Sequence, residues 1–262
     1  MNLFGIPYVG SDVCGFAGIA TEELCLRWQQ LGSFHSFFRN HNDEDMPYQD
    51  PAVWPSVAAA TKKANEFRYS MLPYLYSLHF RASLYGDTVI RPLFFEFPTD
   101  TETLEISEQF IDILFAAANL TTVAARLGNF NLLIASPDYG SIGSGELFWD
   151  DGDSIIDDVS NSAYTHSSFT YSTTGNSATL KINTNRAKAP SLPPLAYLEI
   201  FAFPAAPDYT TFKLNSQTLS IDTQSSKYSP FTRILTLLQQ AHQLRCTRRA
   251  YRNVELCVNC FH

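Results

Sequence analysis

The hydrophobic pattern of the chain changes near Gly86, and this change constrains the fold more than any other feature. Before it, short apolar runs at 3–10 and 33–38 predict buried strands, each followed by a helical pattern. That order is typical of an α/β domain with right-handed crossovers. From Asn129 onward, apolar runs separated by Gly, Ser, Asn and Pro about every eight to twelve residues predict an all-β sandwich.

Two helices are expected in the first part. Thr21 is typical of an N-cap, and the apolar repeat that follows it ends at Gly32, a residue that suits the C′ position. A longer apolar stripe follows Pro51, which suits the first helical position. Pro73 lies inside that stripe and should kink the helix or split it in two near Leu72.

The region after Gly86 is predicted to be mainly strand. Residues 88–97 are rich in apolar and aromatic side chains and predict a strand, whereas residues 110–127 have helical propensity without a clear period. The strands expected in the all-β part are Phe130–Ser136, Gly145–Trp149, Ser168–Thr173, Ala178–Asn183, Tyr197–Phe203 and Thr211–Leu214.

Composition and charge exclude several classes of protein. The 262 residues are 45% hydrophobic, which is enough for a buried core, and the net charge of −8 argues against a nucleic-acid partner. The sequence contains no apolar run of about 18 residues, so it predicts no membrane-spanning helix. The first residues lack the basic region of a signal peptide. The charge is uneven, because residues 233–262 hold five Arg and one acidic residue, Glu255.

Polar side chains follow both predicted N-terminal strands where each one ends. Asp12 comes after the first, and Arg39 and His41 come after the second. In a parallel α/β barrel the carboxyl ends of strands meet at the active face, so these residues are candidates for a site. The alternative is structural: Asp12 caps a helix, and Arg39 pairs with Asp43 or Glu44. The pattern alone does not decide between the two.

Six longer motifs occur in a fixed order along the chain: Gly5–Phe16, Glu23–Trp28, Phe38–Asn42, Arg68–Tyr76, Arg91–Phe97 and Gly145–Ser154. Together they resemble glycoside hydrolase family 31, most closely its α-glucosidase branch. The resemblance covers most of residues 3–110 and, more loosely, 120–222.

The resemblance implies a domain order. Members of the family have a (β/α)8 barrel, a TIM barrel, followed by two β-domains. Residues 1–85 then correspond to the last two βα units of the barrel, and 86–128 to a truncated proximal β-domain. Residues 129–232 correspond to the distal C-terminal β-sandwich, and 233–262 form a basic tail that matches nothing in the family.

The resemblance also implies a sugar site without a cofactor. Asp12 matches the acidic residue that binds glucosyl hydroxyls, Phe16 matches an aromatic wall, and His41 matches a histidine that hydrogen-bonds the same sugar. Arg39 matches a supporting position in the Arg-Asn-His-Asn motif. The implied substrates are α-glucosides such as maltose, maltooligosaccharides or glycogen-like chains. The implied location is lysosomal, secreted or cell-surface, although no signal peptide is present.

The catalytic motifs of the family do not occur in the sequence. A retaining glycosidase needs two carboxylates, a nucleophile and an acid/base. The Trp-x-Asp-Met-Asn-Glu motif of the nucleophile and the Gly-Asp-Asn motif of the acid/base are both missing. The chain by itself is therefore expected to be inactive. The alternative is a non-catalytic truncated product, or an incorrect gene model, that acts at most as a carbohydrate-binding or interaction module.

The cysteines give weaker indications. The chain has five, so at least one is unpaired within it, and Cys14 and Cys25 are expected to be small buried hydrophobic residues. Asn119 begins a glycosylation sequon, which matters only in a secreted chain. The tail is expected to be an extraneous or misread C-terminus that folds as a loose basic helix. It also contains four weak candidates for zinc ligands: Cys246, Cys257, Cys260 and His262.

Overall fold

The computed structural model describes most of the chain in two units. Unit 1 comprises residues 1–114 and 118–120, and unit 2 comprises residues 115–117 and 121–262. Within them, the described residues are 1–106, 110–111, 130–135, 142–174, 177–188, 192–193, 195–201, 203, 205–224, 226–229, 234–238 and 253–259.

Unit 1 is mainly helical. Its helices and strands are α1 (Glu22–Gly32), α2 (Pro55–Ser70), α3 (Leu72–Tyr85), β1 (Arg91–Pro92), α4 (Leu93–Glu96) and β2 (Phe110–Ile111). Short 3₁₀ turns cover Asn2–Phe4, Pro51–Val53 and Thr101–Glu105.

The helix signals of the sequence are largely confirmed. The Thr21 side chain accepts a hydrogen bond from the Leu24 amide at 3.2 Å and caps α1. The long stripe is split at Met71 into α2 and α3, two residues before Pro73, because proline has no N–H for the helical ladder and its ring clashes with the preceding turn. Pro51, however, begins a 3₁₀ turn, and the α-helix starts at Pro55.

Gly32 has a different role from the one predicted. It is the last residue of α1 and not the residue after it. A Cβ at this position would lie 2.7 Å from the Phe38 ring and 2.8 Å from a methyl group of Val13. Glycine is therefore needed because the end of the helix touches the two segments beside it.

The strands predicted at 3–10 and 33–38 are wrong as regular strands. Just beyond the two segments is one isolated parallel bridge, Val13 to Asn40, and within them the Phe37 amide donates to the Val9 carbonyl at 3.1 Å. The hydroxyl of Ser36 accepts from the Val9 amide and donates to the same Val9 carbonyl. The Ser36 side chain thus bonds the Val9 amide and shares the Val9 carbonyl with the Phe37 amide.

The predictions for 88–97 and 110–127 also need correction. Only Arg91–Pro92 is strand, and α4 follows at once because Pro92 has no N–H to extend a ladder. Phe110–Ile111 is strand and pairs antiparallel with β1. Residues 112–127, with the sequon at Asn119, lie outside the described residues.

Cys14 and Cys25 are buried as predicted, but they form a disulfide bond rather than acting as free hydrophobic residues. They belong to the core of unit 1 with Val13 and Val57, and Trp28, Phe38 and other apolar groups pack around it. Near the N-terminus, by contrast, apolar side chains are exposed: Leu3 by 52%, Phe4 by 84% and Tyr8 by 64%.

Breaking this disulfide should destabilise unit 1. The bond joins residues 11 apart, and closing a loop of that size contributes about 2–4 kcal/mol. We expect thiol reductant to lower the melting temperature of the wild-type chain. A chain with both Cys14→Ser and Cys25→Ser should melt at the lower temperature and ignore the reductant. Equal melting temperatures with and without reductant in the wild type would contradict a structural bond.

Two histidines should make unit 1 less stable in acid. Burial, and then the nearby Arg68 guanidinium, lower the pKa of His35 and of His79 below their ordinary value of 6.5. As the pH falls below that value, the unfolded chain binds more protons than the folded chain, so the free energy of unfolding decreases. The melting temperature should therefore be lower at about pH 5 than at about pH 7.5. The difference should shrink in the variant His79→Phe, and an unchanged difference would contradict this origin.

The described part of unit 2 contains strands in two sheets and a short 3₁₀ turn at Val159–Asn161. The strands are β3 (Phe130–Ala135), β4 (Ile142–Trp149), β5 (Thr165–Thr174), β6 (Ser177–Ala187), β7 (Leu195–Phe201), β8 (Lys213–Leu214), β9 (Gln217–Thr218), β10 (Lys227–Ser229), β11 (Ile234–Leu238) and β12 (Asn253–Asn259). One sheet has the order β10-β11-β7-β3, and the other has the order β4-β5-β6-β12-β8-β9.

One hydrophobic cluster draws on both sheets of unit 2. Leu132 and Leu198 come from the four-stranded sheet, and Tyr171 and Leu180 come from the six-stranded sheet. The six strands predicted here all coincide at least partly with observed strands, although Thr211–Leu214 is reduced to two residues.

The expected loose helix in the tail is wrong at two segments. Strand β11 pairs with β7 and β10, and β12 pairs with β6 and β8, so that residue 256 is opposite residue 180. These pairings place part of the tail within the two sheets of unit 2. Among the helices of the described ranges, none is long and apolar enough to cross a bilayer.

Candidate functional site

The predicted site residues lie on two adjacent segments of unit 1. The Val13 amide donates to the Arg39 carbonyl at 2.9 Å, next to the parallel bridge between Val13 and Asn40. Asp12 directly precedes the first of these contacts, and His41 directly follows the second. The fold therefore brings the ends of both segments together, as the order of the polar residues predicts.

Asp12 and Arg39 form an ion pair. Arg39 donates from Nη2 to Asp12 Oδ1 at 2.6 Å and from Nε to the same oxygen at 3.1 Å. The alternative pairing of Arg39 with Asp43 or Glu44 is not what the structure shows. Among the contacts of the described residues, both bonds to the Asp12 carboxylate go to Oδ1. The carboxylate is thus oriented by Arg39, with Oδ2 on its other side.

Phe16 and His41 lie next to each other. Their ring centroids are 5.4 Å apart with an interplanar angle of 43°, and both side chains are exposed. The Asp43 amide donates to the Phe16 carbonyl at 3.0 Å, which holds the two loops together behind the rings. An apolar ring face and an imidazole are therefore presented to solvent side by side.

The turn between Asp12 and Phe16 has an unusual backbone. Cys14 and Gly15 both have positive φ, 73° and 93°. Such a conformation is strained for a residue with a Cβ, so it persists at Cys14 only because its surroundings fix it. The disulfide to Cys25 on α1 supplies one such restraint. The indole of Trp28 on α1 donates to the Ser11 hydroxyl at 3.2 Å on the other side of Asp12.

Gln49 is a central residue that the sequence did not single out. Its side chain is 4% exposed, and its Nε2 lies 3.1–3.2 Å from the carbonyls of Val13, Gly15 and His41 and from the Asn40 side-chain oxygen. Asn40 in turn donates to the Gln49 carbonyl at 2.9 Å. A glutamine within a polar loop carries no periodic signal, so nothing in the sequence pattern distinguishes it.

The metal candidates of the tail cannot be placed as a site. Cys257 lies on β12, while Cys246, Cys260 and His262 lie outside the described residues. Within the part of the chain that the structure describes, no group of three or more His, Cys, Asp or Glu residues could hold a metal ion. A zinc site in the tail stays a prediction.

The chemistry of the arrangement is that of recognition. A carboxylate and an imidazole can accept and donate hydrogen bonds to several hydroxyls in fixed directions. An aromatic face beside them can cover the apolar side of a sugar ring. Among Asp12, Arg39, Phe16 and His41 there is a single carboxylate, so this group has no pair of the kind that glycoside hydrolysis requires.

Comparison with known proteins gives a family match for the first part of the chain. Residues 1–78 match the glycosyl hydrolases family 31 TIM-barrel domain, and this range contains all four site candidates. The chain is 51% identical over 111 residues to the lysosomal alpha-glucosidase of Mus musculus. That stretch is 42% of this chain and 12% of that protein. The chain is 50% identical over 111 residues to the probable maltase-glucoamylase 2 of Homo sapiens, 42% of this chain and 4% of that one.

The fold resembles those of several solved structures. A glucosidase II alpha subunit superposes with a TM-score of 0.75 over 98% of this chain and 35% of its own length, at 20% identity. The GH31 dextranase of Flavobacterium johnsoniae, complexed with isomaltotriose, gives a TM-score of 0.74 over 98% and 40%, at 15% identity. These likenesses show the fold. The match to the Mus musculus relative spans about 12% of that protein's length.

Proposed function

We propose that this chain forms the glucose-binding end of a retaining α-glucosidase, with Asp12, Phe16 and His41 in the subsite that holds the terminal glucose. The observation that carries the proposal is the convergence of these three side chains with Arg39 on two adjacent segments within the range that matches the family 31 barrel. The relatives at about 50% identity are named as α-glucosidases and a maltase-glucoamylase.

Each side chain has a distinct task in this proposal. The Asp12 carboxylate, held through Oδ1 by Arg39, accepts hydrogen bonds from glucosyl hydroxyls at Oδ2. The imidazole of His41 hydrogen-bonds the same sugar, and the Phe16 ring covers its apolar face. Arg39 acts by orienting Asp12. The proposed ligands are therefore α-glucosides such as maltose, maltooligosaccharides or glycogen-like chains.

The domain assignments belong to the same proposal. Residues 1–85 act as the last two βα units of a (β/α)8 barrel, 86–128 as a truncated proximal β-domain, and 129–232 as a distal β-sandwich. The core shared by the two sheets of unit 2 supports the sandwich. The tail strands β11 and β12 pair on both sides within those sheets, which favours placing the end of this domain beyond residue 232.

Hydrolysis by the chain alone is not expected. The 262 residues contain neither the Trp-x-Asp-Met-Asn-Glu motif nor the Gly-Asp-Asn motif, and the mechanism needs a carboxylate from each. With p-nitrophenyl α-D-glucoside, the purified chain should release no p-nitrophenol above the uncatalysed rate. Release above that rate by the purified wild-type chain would contradict the expected inactivity.

The intact protein in its source provides the wider test. Its mass and peptide map should reveal a larger protein with a Trp-x-Asp-Met-Asn-Glu peptide if the chain is part of a working α-glucosidase. A species with the mass of this chain alone would favour the second function, a non-catalytic carbohydrate-binding or interaction module. The half-buried Asp12 with the exposed Phe16 and His41 would serve that function equally well.

A further inference from the structure

We propose that Gln49 is a positioning residue, which sets the separation of the Asp12–Phe16 turn from the Arg39–His41 segment. The proposal rests on the proposed function, because it assigns to Gln49 the geometry of the glucose subsite. Gln49 is not itself expected to touch the sugar. Its side chain is buried behind the site and contacts the backbone of both segments.

The four contacts of the side-chain nitrogen explain why the residue at this position must be a donor. Three of the partners are main-chain carbonyls, those of Val13, Gly15 and His41, which can only accept. The fourth is the Asn40 side-chain oxygen at 3.1 Å. Two amide hydrogens are thus shared among four acceptors, all within 3.2 Å. An oxygen here would face acceptors without a hydrogen between them.

These contacts bridge the two segments rather than stabilising either one alone. The Val13 and Gly15 carbonyls lie in the turn between Asp12 and Phe16. The His41 carbonyl is on the second segment, in the residue whose ring lies beside Phe16. Two direct backbone bonds of the described residues join the segments at the site, from the Val13 amide to the Arg39 carbonyl and from the Asp43 amide to the Phe16 carbonyl. The Gln49 contacts lie between these two bonds in the sequence of both segments, at Val13, Gly15 and His41. Gln49 therefore adds the restraint that sets how Phe16 and His41 face each other.

Three variants separate positioning from simple stabilisation. Gln49→Glu keeps the shape but replaces the donor nitrogen with an acceptor oxygen, and Gln49→Leu removes the polar group. Gln49→Asn keeps a donor that reaches fewer carbonyls, so it should give an intermediate result. Gln30→Glu is the matched control, because Gln30 is exposed on α1 and undergoes the same chemical change.

The first two measurements need no ligand. Amide hydrogen exchange at Val13 should become about tenfold faster or more in Gln49→Glu and Gln49→Leu, while the Cys25 amide within α1 keeps its protection. The Phe16 ring-current contribution to the His41 ring proton shifts should also decrease, because the rings lie only 5.4 Å apart in the wild type. If Gln49 only stabilises the fold, its variants should melt at a lower temperature, while the Val13 exchange rate and the His41 ring-proton shifts of the folded chain stay unchanged. That result would overturn the proposal.

The third measurement links the residue to the sugar. Affinity for methyl α-D-glucoside should fall about tenfold or more in Gln49→Glu, since small misplacements of positioned groups are costly. It should fall less in Gln49→Asn and not at all in Gln30→Glu. If the wild type fails to bind the sugar, the proposed function fails, and the exchange and ring-shift measurements still decide the role of Gln49. If the wild type binds and Gln49→Glu binds equally well, the positioning role is wrong.

Discussion

Replacing Gly10 with alanine should destabilise unit 1 more than the same replacement at Gly32, the other crowded glycine of this unit. A Cβ at Gly10 would lie 1.9 Å from the Phe37 carbonyl oxygen and 3.1 Å from Nδ1 of His35. The carbonyl is main chain, so relief requires the two site-bearing segments to separate. Overpacking of this kind costs about 3 kcal/mol or more. The melting temperature should fall by about 10 °C or more for a unit of this size.

Gly145→Ala is the matched control for this prediction. A Cβ at Gly145 would meet no atom within 4 Å, so the same chemical change should have little effect. The helical circular-dichroism signal follows unit 1, whose described helices include α1 to α3. Similar melting temperatures for Gly10→Ala and the wild type would show that the two segments are not in close backbone contact.

Asp12→Asn should nearly abolish binding of α-glucosides. The change keeps the size of the side chain but removes the charge that accepts hydrogen bonds from Arg39 and, in the proposed function, from the sugar. A hydrogen bond to a charged group contributes about 1.5–3 kcal/mol, so affinity should fall about 10- to 100-fold. Titration calorimetry or nuclear magnetic resonance with methyl α-D-glucoside measures the loss.

The control for Asp12 is Asp45→Asn in the exposed loop after His41. It changes the net charge by the same amount at a residue that is exposed. Its affinity for the sugar should equal that of the wild type. Equal affinity in Asp12→Asn as well would remove Asp12 from the site.

Local signals in the sequence were reliable where one short-range effect dominates. Thr21 caps α1 because its hydroxyl reaches an amide three residues on, and the break before Pro73 follows from the missing N–H. Asp12 and Arg39 lie next to each other because the two segments that carry them run side by side, with a parallel bridge from Val13 to Asn40. The strands of unit 2 follow from the alternation of apolar runs and turn residues.

Features that depend on distant contacts could not be predicted in this way. The five cysteines left every pairing open, and two cysteines among apolar residues look the same whether they are bonded or free. In place of the expected strand at 33–38, the Ser36 hydroxyl bonds the Val9 amide and carbonyl, 27 positions away. Gln49 is important because of contacts with residues up to 36 positions away, which no local pattern encodes.

The most direct test of the proposed glucose subsite is a titration of the wild-type chain with methyl α-D-glucoside, followed residue by residue by nuclear magnetic resonance. L-glucose is the control sugar, because it presents its hydroxyls in mirror-image directions. We expect saturable shifts centred on Asp12, Phe16 and His41 with the D-glucoside and none with L-glucose. Shifts confined to unit 2, or no saturable shift at all, would contradict a glucose subsite at these residues.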